Sequence, residues 1–158
     1  MRKSAITLAV FLFLSYLVAA AGAGVTAPAL GGWFVALEKP PLTPPGAVFG
    51  LVWPVLFTTM SVAAWLAWRE GWRAPVEVRR GLILHFAQLI VNMGWSAVFF
   101  GMRWPLGGLA VIALLLWLVA RMAGVYREVS APAFWLTVPY LAWLAFAALL
   151  NLAIVILN

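Results

Sequence analysis

The 158-residue chain is 66% apolar and only 9% charged, against roughly 25% charged residues in ordinary soluble domains, which excludes a water-soluble globule. Its net charge of +6 comes from basic residues scattered between apolar runs rather than gathered into a dense patch, so no nucleic-acid partner is expected. Cysteine is absent, which excludes disulfides, thiolate nucleophiles and sulfur-ligated metals.

Five apolar stretches, at about 5–25, 47–68, 81–100, 106–125 and 133–157, are each close to the ~20 residues needed to cross a hydrocarbon core. Backbone polar groups in hydrocarbon must be satisfied within a segment or a closed barrel, and five open spans cannot close one. The predicted fold is therefore all-α: an integral, multi-pass membrane bundle of five transmembrane helices, one domain over 1–158. The first stretch resembles a signal peptide, with Arg2 and Lys3 ahead of an apolar run and an Ala-rich end. The run continues through Val25, so a first membrane helix is expected instead of a cleaved leader.

A Pro-rich segment, 26–46, is predicted as a loop. In the second span, Phe49, Trp53, Phe57 and Met60 share one helix face, and Pro54 removes a backbone donor there. A charged loop, 69–80, leads to the third span, where Gln88, Asn92, Trp95 and Phe99 follow i, i+4, i+7, i+11 spacing and share a face. A polar stripe on a membrane helix should face the bundle interior, where Gln88 and Asn92 either hydrogen-bond neighbouring helices or meet a ligand. On the opposite side Ala87, Gly94, Ala97 and Gly101 fall within about 80° of arc and form a seam for a homodimer or for another helix of the same chain. His85, the single histidine, is expected to be a packed residue, and no metal site is expected.

A short turn (101–105), the fourth span and a loop at 126–132 precede the fifth span, which carries Tyr140, Trp143, Ala147 and Asn151 on one face and Pro139 in its interior. All four acids lie in or beside predicted loops, so no carboxylate pair is available for acid–base work inside the bundle. Eight of the ten Lys and Arg residues flank one side and only Lys39 and Arg103 the other, which predicts a cytoplasmic N-terminus in a bacterial cell membrane. Of the ten tryptophans, Trp33, Trp72 and Trp104 fit an interfacial belt, whereas Trp53, Trp95 and Trp143 lie deeper. Aromatic walls with a few amides suit a large, flat, mostly apolar ligand.

Three strings carry a family resemblance: WFVALEKPPLTPPGAVFGLVW (Trp33 to Trp53), AQLIVNMGWSAVFFG (Ala87 to Gly101) and PYLAWLAFAALLN (Pro139 to Asn151). In this order they resemble the tryptophan-rich sensory protein and translocator protein family, also called the peripheral benzodiazepine receptor family. The resemblance implies a homodimeric five-helix protein that binds protoporphyrin IX, haem and synthetic isoquinoline or benzodiazepine ligands, with tetrapyrrole transport or regulation as its use and no required cofactor. It places ligand-pocket roles on Phe34, Trp53, Phe57, Asn92, Trp143 and Ala147, with the Pro-rich segment as a lid. Gln88, Trp95, Phe99 and Tyr140 join them as ligand-binding candidates from the stripes. For members that degrade protoporphyrin in light, the matching positions are Trp53 and Trp143.

Departures from the family pattern are local. Leu42 and Ala47 stand where the first loop usually carries tryptophans, and Phe34 and Phe57 lack the hydroxyl of the Tyr that many members have. The animal sterol motif needs a basic residue soon after a Tyr, but here Asn151 leads into Leu152 and no basic residue follows, so sterol binding by that motif is unsupported. Three readings stand: a porphyrin binder or sensor, a light-dependent porphyrin-degrading enzyme, and a structural membrane protein without a ligand.

Overall fold

The computed structural model describes residues 2–158. Its elements are α1 (Arg2–Leu30), a single-turn α2 (Trp33–Ala36), α3 (Gly46–Arg69), α4 (Pro75–Ser96) continuing into a π-helical turn (Ala97–Gly101), α5 (Pro105–Val129) and α6 (Ala131–Leu157). Five helical segments of 24 to 28 residues are long and apolar enough to cross a membrane, so the chain is an all-α, multi-pass membrane protein. Burial is inverted relative to a soluble bundle. Phe13, Leu51, Ile90, Trp117, Trp135 and Ile156 each expose more than half of their surface, whereas Ser15, Ser61, Gln88 and Thr137 are fully buried.

α1 packs on α3 and α4, α3 on α6, and α5 on α4 and α6. In cross-section the long helices thus close a ring in the order α1, α3, α6, α5, α4. Small residues set the distances between them. Where α1 crosses α3, the Ser61 hydroxyl lies 2.8 Å from Ser15 Oγ, and Ala63, Ala64 and Ala67 are fully buried. Gly81 lets α5 close on α4, since a Cβ there would lie 2.7 Å from the Tyr126 ring.

Helix ends differ from the sequence expectation at four places. The expected loop at 26–46 is helical in its first part: α1 runs through Pro28 to Leu30 and ends at the Gly31–Gly32 pair, and the single-turn α2 follows, leaving 37–45 as irregular lid. Ala29 is buried against Phe99 and Phe100, so packing extends the helix past a proline that only its last turn must accommodate. α4 starts at Pro75, six residues before the expected 81, because Pro75 suits the first helical position and Glu77 opposes the helix dipole in the first turn. The expected loop 126–132 shrinks to Ser130 as α5 and α6 extend towards each other. The third span ends in the π turn, with Met102 N–H donating to the Ala97 carbonyl at 2.8 Å.

Candidate functional site

α3 and α6 run antiparallel and meet along an aromatic seam. Phe49 and Trp143 are edge-on with ring centroids 5.6 Å apart, and one turn along Trp53 meets Tyr140 edge-on at 6.5 Å. Trp53 also lies 5.7 Å from Phe57, which is itself buried. α4 contributes the polar part. Asn92 Nδ2 donates to Tyr140 Oη at 3.0 Å, and that hydroxyl donates to Gln88 Oε1 at 3.1 Å. The amides therefore do bridge helices, but not completely: Gln88 Nε2 is buried without a hydrogen-bond partner, and so is Trp143 Nε1.

A second layer lies at the lid end. Trp95 stacks on Phe99 with centroids 5.2 Å apart, and Phe34 of α2 packs against Phe99 at 6.2 Å and Phe100 at 5.4 Å. Trp95 Nε1 donates to Asn151 Oδ1 at 3.4 Å, while Asn151 Nδ2 donates to the Pro105 carbonyl at 2.8 Å. Gly108 makes this junction possible, since a Cβ there would lie 2.8 Å from the Phe99 ring and 3.0 Å from Asn151 Oδ1. Tyr140 and Asn151, which anchor the two layers on α6, are eleven residues apart, about 16 Å of helix rise.

The residues predicted from sequence thus divide. Trp53, Phe57, Gln88, Asn92, Tyr140 and Trp143 form the inner layer, with half-buried Ala147 one turn beyond Trp143. Phe34 and Phe99 belong to the outer layer, and Trp95 touches both. Trp33, at the lid end, is half-buried and edge-on to Phe99 at 5.7 Å. The sequence reading missed Phe100, because regular α-helical spacing turns it away from the Trp95 and Phe99 stripe. The wider π turn brings both phenylalanines inside.

The lid is tied down by a residue that sequence spacing does not mark. Asn158 Oδ1 accepts from the Glu38 N–H at 3.0 Å, and its Nδ2 donates to the Glu38 carbonyl at 3.0 Å. Lys39 Nζ donates to the Leu37 carbonyl at 3.0 Å and lies 4.9 Å from the Phe34 ring centroid, so a cation sits over the outer layer. His85 is outside both layers, fully buried and edge-on to Phe11 and Phe86. Of the small-residue seam on α4, Gly101 packs against Val25 of α1, whereas nothing lies within 4 Å of a Cβ built on Gly94.

The profile of the TspO/MBR family matches residues 9–157. The tryptophan-rich protein TspO of Chlorobaculum tepidum is 40% identical over 158 residues, covering 100% of this chain and 99% of that protein. The translocator protein of Ovis aries is 40% identical over 121 residues, 75% of this chain and 70% of that protein. Protein CrtK of Rhodobacter capsulatus is 33% identical over 150 residues, 93% of this chain and 92% of that protein.

Proposed function

We propose that this chain, which belongs to the TspO/MBR family, binds porphyrins and similarly flat, apolar ligands between α3, α4 and α6, beneath α2 and the lid. The observation that carries the reading is the pair of buried N–H donors without acceptors, Gln88 Nε2 and Trp143 Nε1, set in the aromatic inner layer. A buried donor left unpaired costs about 1–3 kcal/mol. Among the described residues His85 and the Tyr126 hydroxyl also lack partners, outside this layer, but Gln88 Nε2 and Trp143 Nε1 are the two donors that sit together among the inner-layer rings. A ligand carrying oxygen or nitrogen acceptors relieves both, and rings such as Trp53 and Trp143 offer it flat apolar contact. Lys39 over the outer layer supplies a cation for ligand carboxylates. The excess of basic residues on one side supports a bacterial cell membrane with a cytoplasmic N-terminus. The open side of Gly94 supports a homodimer through α4.

The test is titration of the purified protein with protoporphyrin IX in detergent, followed by tryptophan fluorescence. Saturable quenching that weakens in Trp53→Phe and Trp143→Phe is expected. Quenching that never saturates, or that matches a detergent-only tryptophan control, would end the binding reading and leave helix packing as the role of these aromatics.

A second reading, light-driven breakdown of the porphyrin, draws support from Trp53 and Tyr140, two oxidisable side chains with centroids 6.5 Å apart. In that reading Trp53 and Trp143 are redox or radical-quenching partners of the excited ligand. A defined new chromophore under illumination distinguishes it from a binder, which gives only nonspecific bleaching.

A further inference from the structure

Two open grooves lie at the end of the bundle that carries most of the basic residues, far from the aromatic layers. One, of about 810 Å³, runs between the start of α1 and the end of α3, with Ala5, Leu8 and Trp65 on its walls and Arg69 at its mouth. The other, of about 390 Å³, runs down α4 from Arg79 past Leu82 and Ile83 to Phe86. Trp68 and Gly71 line both grooves, so they are two branches of one surface divided by an indole.

The branches share a chemical gradient. Each has an arginine towards the charged end and an apolar floor leading into the membrane. From Arg79 to Phe86 the floor descends about 10 Å, within the ~15 Å apolar depth of one leaflet. Arg69 is held, and neither arginine is compensated by a carboxylate. The Arg69 guanidinium lies 4.9 Å from the Trp65 ring centroid, and that indole is fixed by donating to the Ser4 carbonyl at 2.9 Å. Among the described residues the one ion pair joins Arg73 to Glu70 at 3.6 Å, which leaves Arg69 and Arg79 without a carboxylate. Of the other acids at this end, Glu77 lies about 200° around α4 from Arg79, and among the described residues neither it nor Glu128 forms an ion pair with Arg69 or Arg79.

We propose that this surface holds one anionic phospholipid, its phosphate against Arg69 and Arg79 and its two acyl chains astride Trp68, one in each branch. Two apolar channels meeting at a cationic mouth match a molecule with two tails and one negative head. A zwitterionic headgroup would bring its own ammonium against both arginines. The inference is independent of the porphyrin reading, since no residue is shared.

Native mass spectrometry of the full chain, released from detergent containing phosphatidylglycerol or phosphatidylcholine of identical acyl chains, tests it. One phosphatidylglycerol per chain is expected to survive release, with phosphatidylcholine lost. Arg69→Gln and Arg79→Gln should each weaken retention about fivefold, the effect of one basic residue at an anionic surface. Both arginines are exposed, so the fold should persist, as circular dichroism would verify. Leu82→Trp, which fills one branch without touching charge, should also reduce retention. Arg121→Gln with Arg127→Gln removes two charges from the same end of the bundle, away from the grooves, and should change nothing. Equal retention of the two lipids, or equal loss in the Arg121 and Arg127 control, would overturn the site in favour of a general basic rim. Displacement of the lipid by millimolar glycerol phosphate would overturn it in favour of a simple anion site.

Discussion

Tyr140→Phe removes one oxygen atom and leaves the ring that meets Trp53. Both hydrogen bonds that tie α4 to α6 in the inner layer end on that oxygen, from Asn92 at 3.0 Å and to Gln88 at 3.1 Å. Tyr140 and Gln88 are fully buried and Asn92 is 7% exposed, so neither freed amide reaches water. Gln88 Nε2 already lacks a partner, and the substitution would leave the whole Gln88 amide unpaired. In soluble interiors each orphaned group costs about 1–3 kcal/mol. Polar contacts between membrane helices average only about 0.6 kcal/mol, because the unfolded chain in the bilayer also finds partners. Two bonds weighted between these limits give a loss of about 2 kcal/mol. Reversible unfolding in mixed micelles with rising SDS, followed by far-ultraviolet circular dichroism, measures it. Gln88→Leu should cost less than Tyr140→Phe, because it also removes the orphan donor. The double variant should then fall short of additivity by at least about 0.5 kcal/mol. Tyr140→Phe within about 0.3 kcal/mol of the parent, or additive variants, would refute the three-residue chain as a stabilising element.

Further outcomes follow from other contacts. Trp53→Phe and Trp143→Phe should each weaken protoporphyrin binding about three- to tenfold by titration. If the breakdown reading holds, both should also abolish the light-driven product, because phenylalanine is far harder to oxidise than indole. Asn158→Ala removes both side-chain bonds to Glu38, so amide exchange across 37–45 should accelerate about tenfold, read by hydrogen–deuterium mass spectrometry. Arg103 holds φ of 54° without being glycine, so Arg103→Gly should raise stability by about 1 kcal/mol in the same SDS assay. Gly94→Leu should weaken self-association in mild detergent, read by cross-linking, if α4 forms the dimer seam.

The likeness of the chain to a membrane bundle was fixed at the level of composition. With 9% charged residues and five apolar runs, no aqueous fold can bury what this chain carries, and hydrocarbon forces each run to pair its own backbone. Helical period then placed Gln88, Asn92, Trp95 and Phe99 on one inward stripe, and Trp53 with Phe57 and Tyr140 with Trp143 on two others. Period assigns a residue to a side of its own helix and says nothing about the height at which it meets a neighbour. The docking of α4 against α6 set those heights, joining Tyr140 to Gln88 and Asn92 but Asn151, about 16 Å further along α6, to Trp95. The π turn admitted Phe100, burial of Ala29 carried α1 past Pro28, and the absence of a side chain at Gly108 let three helices meet over Phe99 and Asn151. Asn158 and Glu38, 120 positions apart, are joined only because folding brings the end of α6 to the lid. Such contacts depend on the separation of helix axes, which local sequence does not encode and tertiary packing does.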